Sequence, residues 1–220
     1  NGHAEGLTQG SQEFTFRPGP LKIGRYYHWA IGSSGSTTML ALGVLPVLAF
    51  SGSPVTVELR GGLFQDFAPS AFHLQHALLP VLDKMGLQAE VEIVRPGYVP
   101  RGEGMLQLTV KPLTGPLRAL IREEPGPVTR LWGIALSSHL KDRQVSRRMA
   151  ESAQGVLSES GYQADMEIRH DTESPQRGAA LALFADRAET VRLGADQAGA
   201  LRRSAESIGK HVAKQLLEEL

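Results

Sequence analysis

The stretch Ala30-Ile31-Gly32-Ser33-Ser34-Gly35-Ser36-Thr37-Thr38-Met39, running on to Leu45-Pro46, constrains the fold most: an aromatic β-type run ends in a glycine and serine turn and opens an apolar helix. Gly35 lets the backbone bend sharply, and Ser34 or Ser36 supplies a hydroxyl for the free amides of the first helical turn. Residues 39–50 are almost all apolar, which predicts a core helix buried on every side. A strand, turn and helix joined in this way also aim unpaired amides and the positive end of the helix dipole at one spot, where an anion is favoured. The commoner role of such a turn is a plain cap. No Gly-Lys-Ser/Thr follows the glycines, which excludes a Walker-type phosphate loop.

Periodicity arranges the neighbours as β-α-β-α-β-β. Residues 26–31 form an aromatic-rich strand ahead of the core helix, and 55–59 alternate as a second strand that stops at Gly61-Gly62. Between Pro69 and Gly86, Leu74, Leu78, Val81, Leu82 and Met85 recur at helical spacing. Strands at 89–94 and 105–110 flank Arg95-Pro96-Gly97-Tyr98-Val99-Pro100-Arg101-Gly102-Glu103-Gly104, which is too rich in glycine for regular structure. Residues 24–112 are enough to close this α+β unit as a split sheet with two helices on one face. Ahead of it, 11–17 alternate as a strand, and the opening residues, without a methionine, read as an interrupted beginning.

Two Gly-Pro pairs and Glu123-Glu124-Pro125 within 113–127 mark a passage between domains, placed at 1–124 and 125–220. The second half reads as a strand at 128–137, an amphipathic helix at 142–158 capped by Gly161, strands at 163–169 and 179–185, and a short strand at 190–193. A long helix at 201–220 turns Ile208, Val212 and Leu216 or Leu217 inward. It reaches the last residue without a stop signal, so both ends read as truncated.

The chain has 220 residues, 41% hydrophobic and 21% charged, which fits a globular protein with real cores. With no apolar run near the roughly 20 residues a bilayer needs and no signal peptide, the expected location is cytoplasmic, without a membrane partner. Cysteine is absent, which removes disulfides, thiolate nucleophiles and zinc-cysteine sites together. Net charge is zero and neither half is a polycation, which argues against extended duplex binding; gripping one chain end needs only a few cations.

His73 and His76 stand three apart on the second helix, a metal-ligand spacing without a third ligand nearby, so the expected metal-ligand set is empty. His28, His139 and His170 are isolated in sequence and form no hydrolase triad pattern. Arg95 and Arg101 bracket a glycine-rich turn and Arg17 precedes another, positions that suit bidentate phosphate contacts as well as solvated surface charge. Arg143, Arg147 and Arg148 read as a solvated helix face.

Four pieces in order resemble the RNA 3′-terminal phosphate cyclase family across residues 1–112. They are Phe14-Thr15-Phe16-Arg17-Pro18-Gly19, the 30–38 turn followed by Val44-Leu45-Pro46, Gly61-Gly62 with Ala68-Pro69, and the 97–104 loop. The resemblance implies a βαβαββ repeat like the C-terminal domain of translation initiation factor 3, with a smaller α/β insert domain at 125–220. It also implies ATP and a divalent metal (Mg or Mn) as cofactors and an RNA 3′ end as partner, and it leaves a homodimer open. Family members place AMP on a histidine and pass it to an RNA 3′-phosphate. The adjacent 2′-hydroxyl then displaces AMP to leave a 2′,3′-cyclic phosphate.

That nucleophile lies in a segment after the insert. None of the seven histidines here takes the role, no catalytic residue is assigned to this chain, and the fragment alone is expected to be inactive. The family's glycine-rich acidic opening motif is likewise absent. Pro69 matches the proline that packs against adenine. Four positions depart from the family pattern: Leu42 stands for a glutamine, Gln65-Asp66 for Asn-Pro, Phe72 for an aspartate, and Gly102-Glu103-Gly104 for a triple glycine. The rival reading is a non-catalytic cyclase-like protein acting in RNA processing or ribosome assembly; an enolpyruvate transferase fits the glycine motifs poorly.

Overall fold

The computed structural model describes residues 2–20, 24–33, 35–121, 126–188 and 191–220. Three sheets are built from ten strands among these residues. A small antiparallel pair, β1 (Gly2–Glu5) and β2 (Thr15–Pro18), stands at the start and is exposed throughout. The predicted strand at 11–17 is therefore shorter and later than its alternation suggested, and the opening residues, for which no element was predicted, form its partner.

The first large sheet has the order β3 (Tyr26–Ala30), β4 (Val55–Gly61), β6 (Gly104–Val110), β5 (Ala89–Arg95), with β3 parallel to β4 and the other pairs antiparallel. Alternation decides its faces. Val55, Val57 and Leu59 on β4 and Leu106, Leu108 and Val110 on β6 are fully buried toward the helices, while Thr56, Glu58 and Arg60 turn the other way.

The core helix α1 (Thr37–Ala49) begins at Ser36, whose hydroxyl accepts the Met39 amide at 3.2 Å. The alternative cap Ser34 lies outside the described residues. Ala41, Leu45, Leu48 and Ala49 bury on the sheet, but Met39, Val47 and Phe50 are 52%, 52% and 70% exposed. The expectation of burial on all sides is corrected here: α1 rests on one sheet, and among the described residues no element covers its outer face.

The second helix is in three parts: α2 (Ala71–His73), a π-helical segment (Leu74–Leu78) and α3 (Leu79–Lys84). Pro80 has no N–H to offer the His76 carbonyl four residues back. Arg192 takes that carbonyl instead, donating from Nη1 at 2.8 Å, so the helix irregularity becomes a docking point for the second half of the chain.

The second large sheet has the order β10 (Leu193–Ala198), β9 (Gly178–Arg187), β7 (Val128–Ser138), β8 (Ala164–Asp171). Here β7 is parallel to β8 and the remaining pairs are antiparallel. α4 (Val145–Glu159) follows a 3-10 turn, Lys141–Arg143, and a left-handed Gln144, so the helix starts later than the predicted 142. α5 (Ala205–Glu218) starts after Ser204 caps Ser207, not at 201. The short strand predicted at 190–193 is misplaced: Thr190 lies outside the described residues, and the strand is β10, whose Gly, Ala, Asp and Gln carry no β signal of their own. Residues 122–125 of the predicted passage also lie outside the described residues.

Alternate residues of β9 serve two cores. Leu181 and Leu183 pack with Met149, Leu157, Ile208 and Val212 of α4 and α5, whereas Ala180, Ala182 and Phe184 join the core of the first sheet and its helices. The layers thus run sheet, helices, sheet, helices, and β9 of the second sheet is buried on both faces while its edge strand β8 stays partly exposed.

Candidate functional site

Three of the glycine-bearing pieces meet at one end of the first sheet, where β4 finishes and β6 begins. The Gly62 amide donates to the Gly35 carbonyl at 2.9 Å, and Thr37 donates from both N and Oγ1 to the Gly62 carbonyl, each at 2.9 Å. Leu63 and Phe64 donate their amides to the Gly97 carbonyl at 3.0 and 3.1 Å. Gly97 must be glycine because a Cβ there would sit 2.2 Å from the Gly104 amide nitrogen, and at Gly102, with φ +67°, a Cβ would sit 2.8 Å from the Ser33 carbonyl oxygen. The first-turn amides of α1 are largely spent on these partners: Thr37 on Gly62, Met39 on Ser36.

Tyr98, inside the loop, is 2% exposed and stacks on Phe64 at 5.6 Å. Its hydroxyl meets Ser138 Oγ at 2.9 Å, and burial pushes the phenol well above its ordinary pKa. This joins the site to the second sheet.

Pro69 does not occupy the first turn of its helix. Ser70 is the cap, accepting the His73 amide at 3.1 Å, and Pro69 precedes it. Thr38 Oγ1 donates to the Pro69 carbonyl at 2.7 Å, so the start of α1 fixes this turn. Pro69 and His73 line an open groove of about 280 Å³, with Asp196, Gln215 and Glu219 from the second half on its other side. Burial raises the Asp196 carboxyl against the opposing pull of the Ser70 donors and of His73, whose Nδ1 is 3.5 Å away.

The three candidate phosphate arginines are separated. Arg17 lies on the small exposed pair, 3.9 Å from Glu5. Arg95 curls back to the Glu103 carbonyl, donating at 3.1 and 2.7 Å. Arg101 donates from Nη1 to the Pro175 carbonyl at 3.0 Å and lines a cavity, about 240 Å³, with Gly32, Ser33, Arg60 and Glu103. Arg60, which sequence reasoning passed over, reaches Glu103 at 3.4 Å. Its signal was indirect: it stands on β4 immediately before the paired glycines.

The family model for RNA 3′-terminal phosphate cyclase matches residues 1–218. The chain belongs to that family. It is 34% identical over 223 residues to an RNA 3′-terminal phosphate cyclase of Staphylothermus marinus, covering 98% of this chain and 61% of that protein. The relative from Hyperthermus butylicus is 34% identical over 222 residues, with 98% and 61% covered. The relative from Nitrosospira multiformis is 33% identical over 217, with 98% and 60% covered. The chain thus spans about three fifths of the length of these curated relatives.

The positions expected to depart from the family pattern have visible surroundings in the fold. Phe72 is 1% exposed, 4.9 Å from the Phe64 ring, with the Arg169 guanidinium 5.5 Å from its own ring. Leu42 packs against the core from α1. Glu103, at φ +51°, puts a carboxylate beside Arg60, and the buried Gln65 Oε1 has no hydrogen-bond partner among the described residues.

The histidines serve separate places. His73 faces Asp196, whereas His76 lies edge-on to Trp132 at 5.2 Å and Phe184 at 5.5 Å. Burial, with Arg192 and Arg169 adding to it, pushes His76 down to about 4. His28 pairs with Glu58 at 2.6 Å, His139 with the Ser174 carbonyl at 2.7 Å, and His170 with Ser137 at 3.4 Å. Among the described residues no three His, Asp or Glu side chains converge on a metal position. Arg148, expected on a solvated face, holds Glu206 of α5 in a bidentate pair at 2.7 and 3.0 Å. No helix among the described residues is long and apolar enough to cross a membrane.

Proposed function

We propose that this chain is the central portion of an ATP-dependent enzyme that converts an RNA 3′-terminal phosphate into a 2′,3′-cyclic phosphate. The observation that carries the reading is the family match over residues 1–218. In this reading residues 1–124 hold one βαβαββ repeat resembling the C-terminal domain of translation initiation factor 3, and 125–220 form the inserted α/β domain. The complete reaction consumes ATP to activate the 3′-phosphate for attack by its own 2′-hydroxyl.

The share of this chain is to hold the reactants. Pro69, ahead of its helix and on a groove wall, offers a flat, rigid ring to the adenine face. A volume of about 280 Å³ is near the lower bound of roughly 300 Å³ for small-molecule pockets. Arg60 and Arg101, beside the Gly32-Ser33 turn, offer guanidinium groups to phosphate oxygens, with Glu103 offsetting part of their charge. Of the three sequence candidates Arg101 alone lines the cavity beside that turn, while Arg17 stands on another sheet, so Arg101 is the best placed. The described residues do not fit a metal ligand set, and no step is assigned to a metal.

Phe72 and Leu42, apolar where the family has polar side chains, favour a second reading, a cyclase-like protein that no longer turns over. The test is the full-length protein incubated with a 3′-phosphorylated oligoribonucleotide, with and without ATP and Mg²⁺ or Mn²⁺. ATP-dependent appearance of a phosphatase-resistant cyclic end supports the enzyme. A folded protein that leaves the 3′-phosphate unchanged supports the second reading.

A further inference from the structure

The loop that carries Pro69 is fastened at two points to the second sheet. At its start, the Asp66 carboxylate receives a bidentate pair from Arg203, Nη1 at 2.9 Å and Nη2 at 3.0 Å, and Arg203 Nη1 also reaches the Ala198 carbonyl at 2.6 Å. At its end, Asp196 Oδ2 accepts from Ser70 Oγ at 2.9 Å and from the Ser70 amide at 3.4 Å. Between the fastenings Phe67 is held at φ +65°, fully exposed. A non-glycine residue in that region persists only where its surroundings over-determine the backbone.

The geometry points to Asp196 and Arg203 as positioning residues that hold the 66–70 loop so that Pro69 faces its ligand. The inference rests on the reading of Pro69 as an adenine contact. Both fastenings come from one element and its exit: Asp196 and Ala198 lie on β10, and Arg203 precedes α5. Each is separated from the loop by more than a hundred residues, so the second half of the chain sets the shape of a loop in the first. A planar guanidinium on a carboxylate fixes orientation as well as distance, and Asp196 supplies the acceptor that ties Ser70, the residue next to Pro69. Thr38 secures the same turn from the other side.

Steady-state kinetics of the full-length protein test this, because a positioning role and a merely structural one separate there. Asp196→Ala and Arg203→Ala are expected to raise KM for ATP about tenfold each while kcat and KM for the RNA end stay within about twofold, since a misplaced contact weakens one ligand. Asp196→Asn, which keeps an oxygen acceptor for Ser70, is expected to recover most of the loss. Glu206→Ala breaks the Arg148 pair, similar in form but away from the loop, and should leave KM for ATP unchanged.

Pro69→Ala in the same assay separates the two claims. If it leaves KM for ATP unchanged, the reading of Pro69 fails. If it raises KM and Arg203→Ala does not, the positioning role fails. In the double variant Pro69→Ala with Arg203→Ala, the loss should not exceed that of Pro69→Ala alone, because Arg203 acts through Pro69; additive losses overturn the inference.

Discussion

The two four-stranded sheets share one parallel and two antiparallel pairings, yet they are covered differently. In the first, β4 alternates buried Val55, Val57 and Leu59 with Thr56, Glu58 and Arg60 on an open face, where Tyr26 is 57% exposed. In the second, residues 179–185 of β9 are all buried, alternate ones facing α4 and α5 or the helices of the first sheet. A sheet used as a middle layer transmits a local change to two cores, whereas an outer sheet confines it to one. The second sheet also bears Asp196 and, just past its edge, Arg203, which hold the Pro69 loop, so its rigidity belongs to the site as much as to the fold.

The largest expected effect follows from that middle layer. Phe184, 0% exposed, packs on Trp132 at 4.6 Å and on His76 at 5.5 Å. Phe184→Ala should cost about 3–5 kcal/mol in equilibrium denaturant unfolding, with both halves melting together. A loss under about 1 kcal/mol would mean that the two layers are not packed on each other there.

Acid exposes the same contact. His76 is held near 4, by burial first and by Arg192 and Arg169 after it, against an unfolded value of 6.5. As pH falls below 6.5 the unfolded chain takes the proton while the folded one does not. The contribution is whole above pH 6.5 and is lost as pH falls toward 4. His76→Leu should flatten the fall of Tm across that window; parallel curves for the two proteins would contradict a buried neutral His76.

Tyr98→Phe removes the Ser138 partner between the sheets and should cost about 1–2 kcal/mol by thermal unfolding, because a buried hydroxyl is left unpaired. On the open face of the first sheet, Glu58→Gln weakens contacts to Tyr26 and His28 and should change stability by less than about 0.5 kcal/mol. A larger change would show that this face is covered in solution.

The same contrast explains what could be read from the residues. The 24–112 region was legible because its strands alternate and its turns carry glycine for local steric reasons, as at Gly97 against Gly104. β10 was not, since Leu193–Ala198 has no β-favouring pattern and pairs only because β9 offers an edge. Pro69 was singled out by its motif, and its adenine contact stays a proposal. Asp196 and Arg203 were not, because their partners are set by the folded chain and their own surroundings in sequence carry no mark; Arg60 had only its place before Gly61-Gly62. The outer face of α1 was misjudged for a related reason: composition reports that a helix is apolar, not which of its faces a neighbour covers.

The most direct measurement is adenylation of the full-length protein with α-labelled ATP and Mg²⁺ or Mn²⁺, followed by denaturation. An acid-labile, base-stable adduct, as a phosphoramidate on histidine would give, is the expected result. A folded, metal-supplied protein that acquires no label would contradict the cyclase reading and leave the apolar Phe72 and Leu42 as marks of a relative that has kept the fold without the reaction.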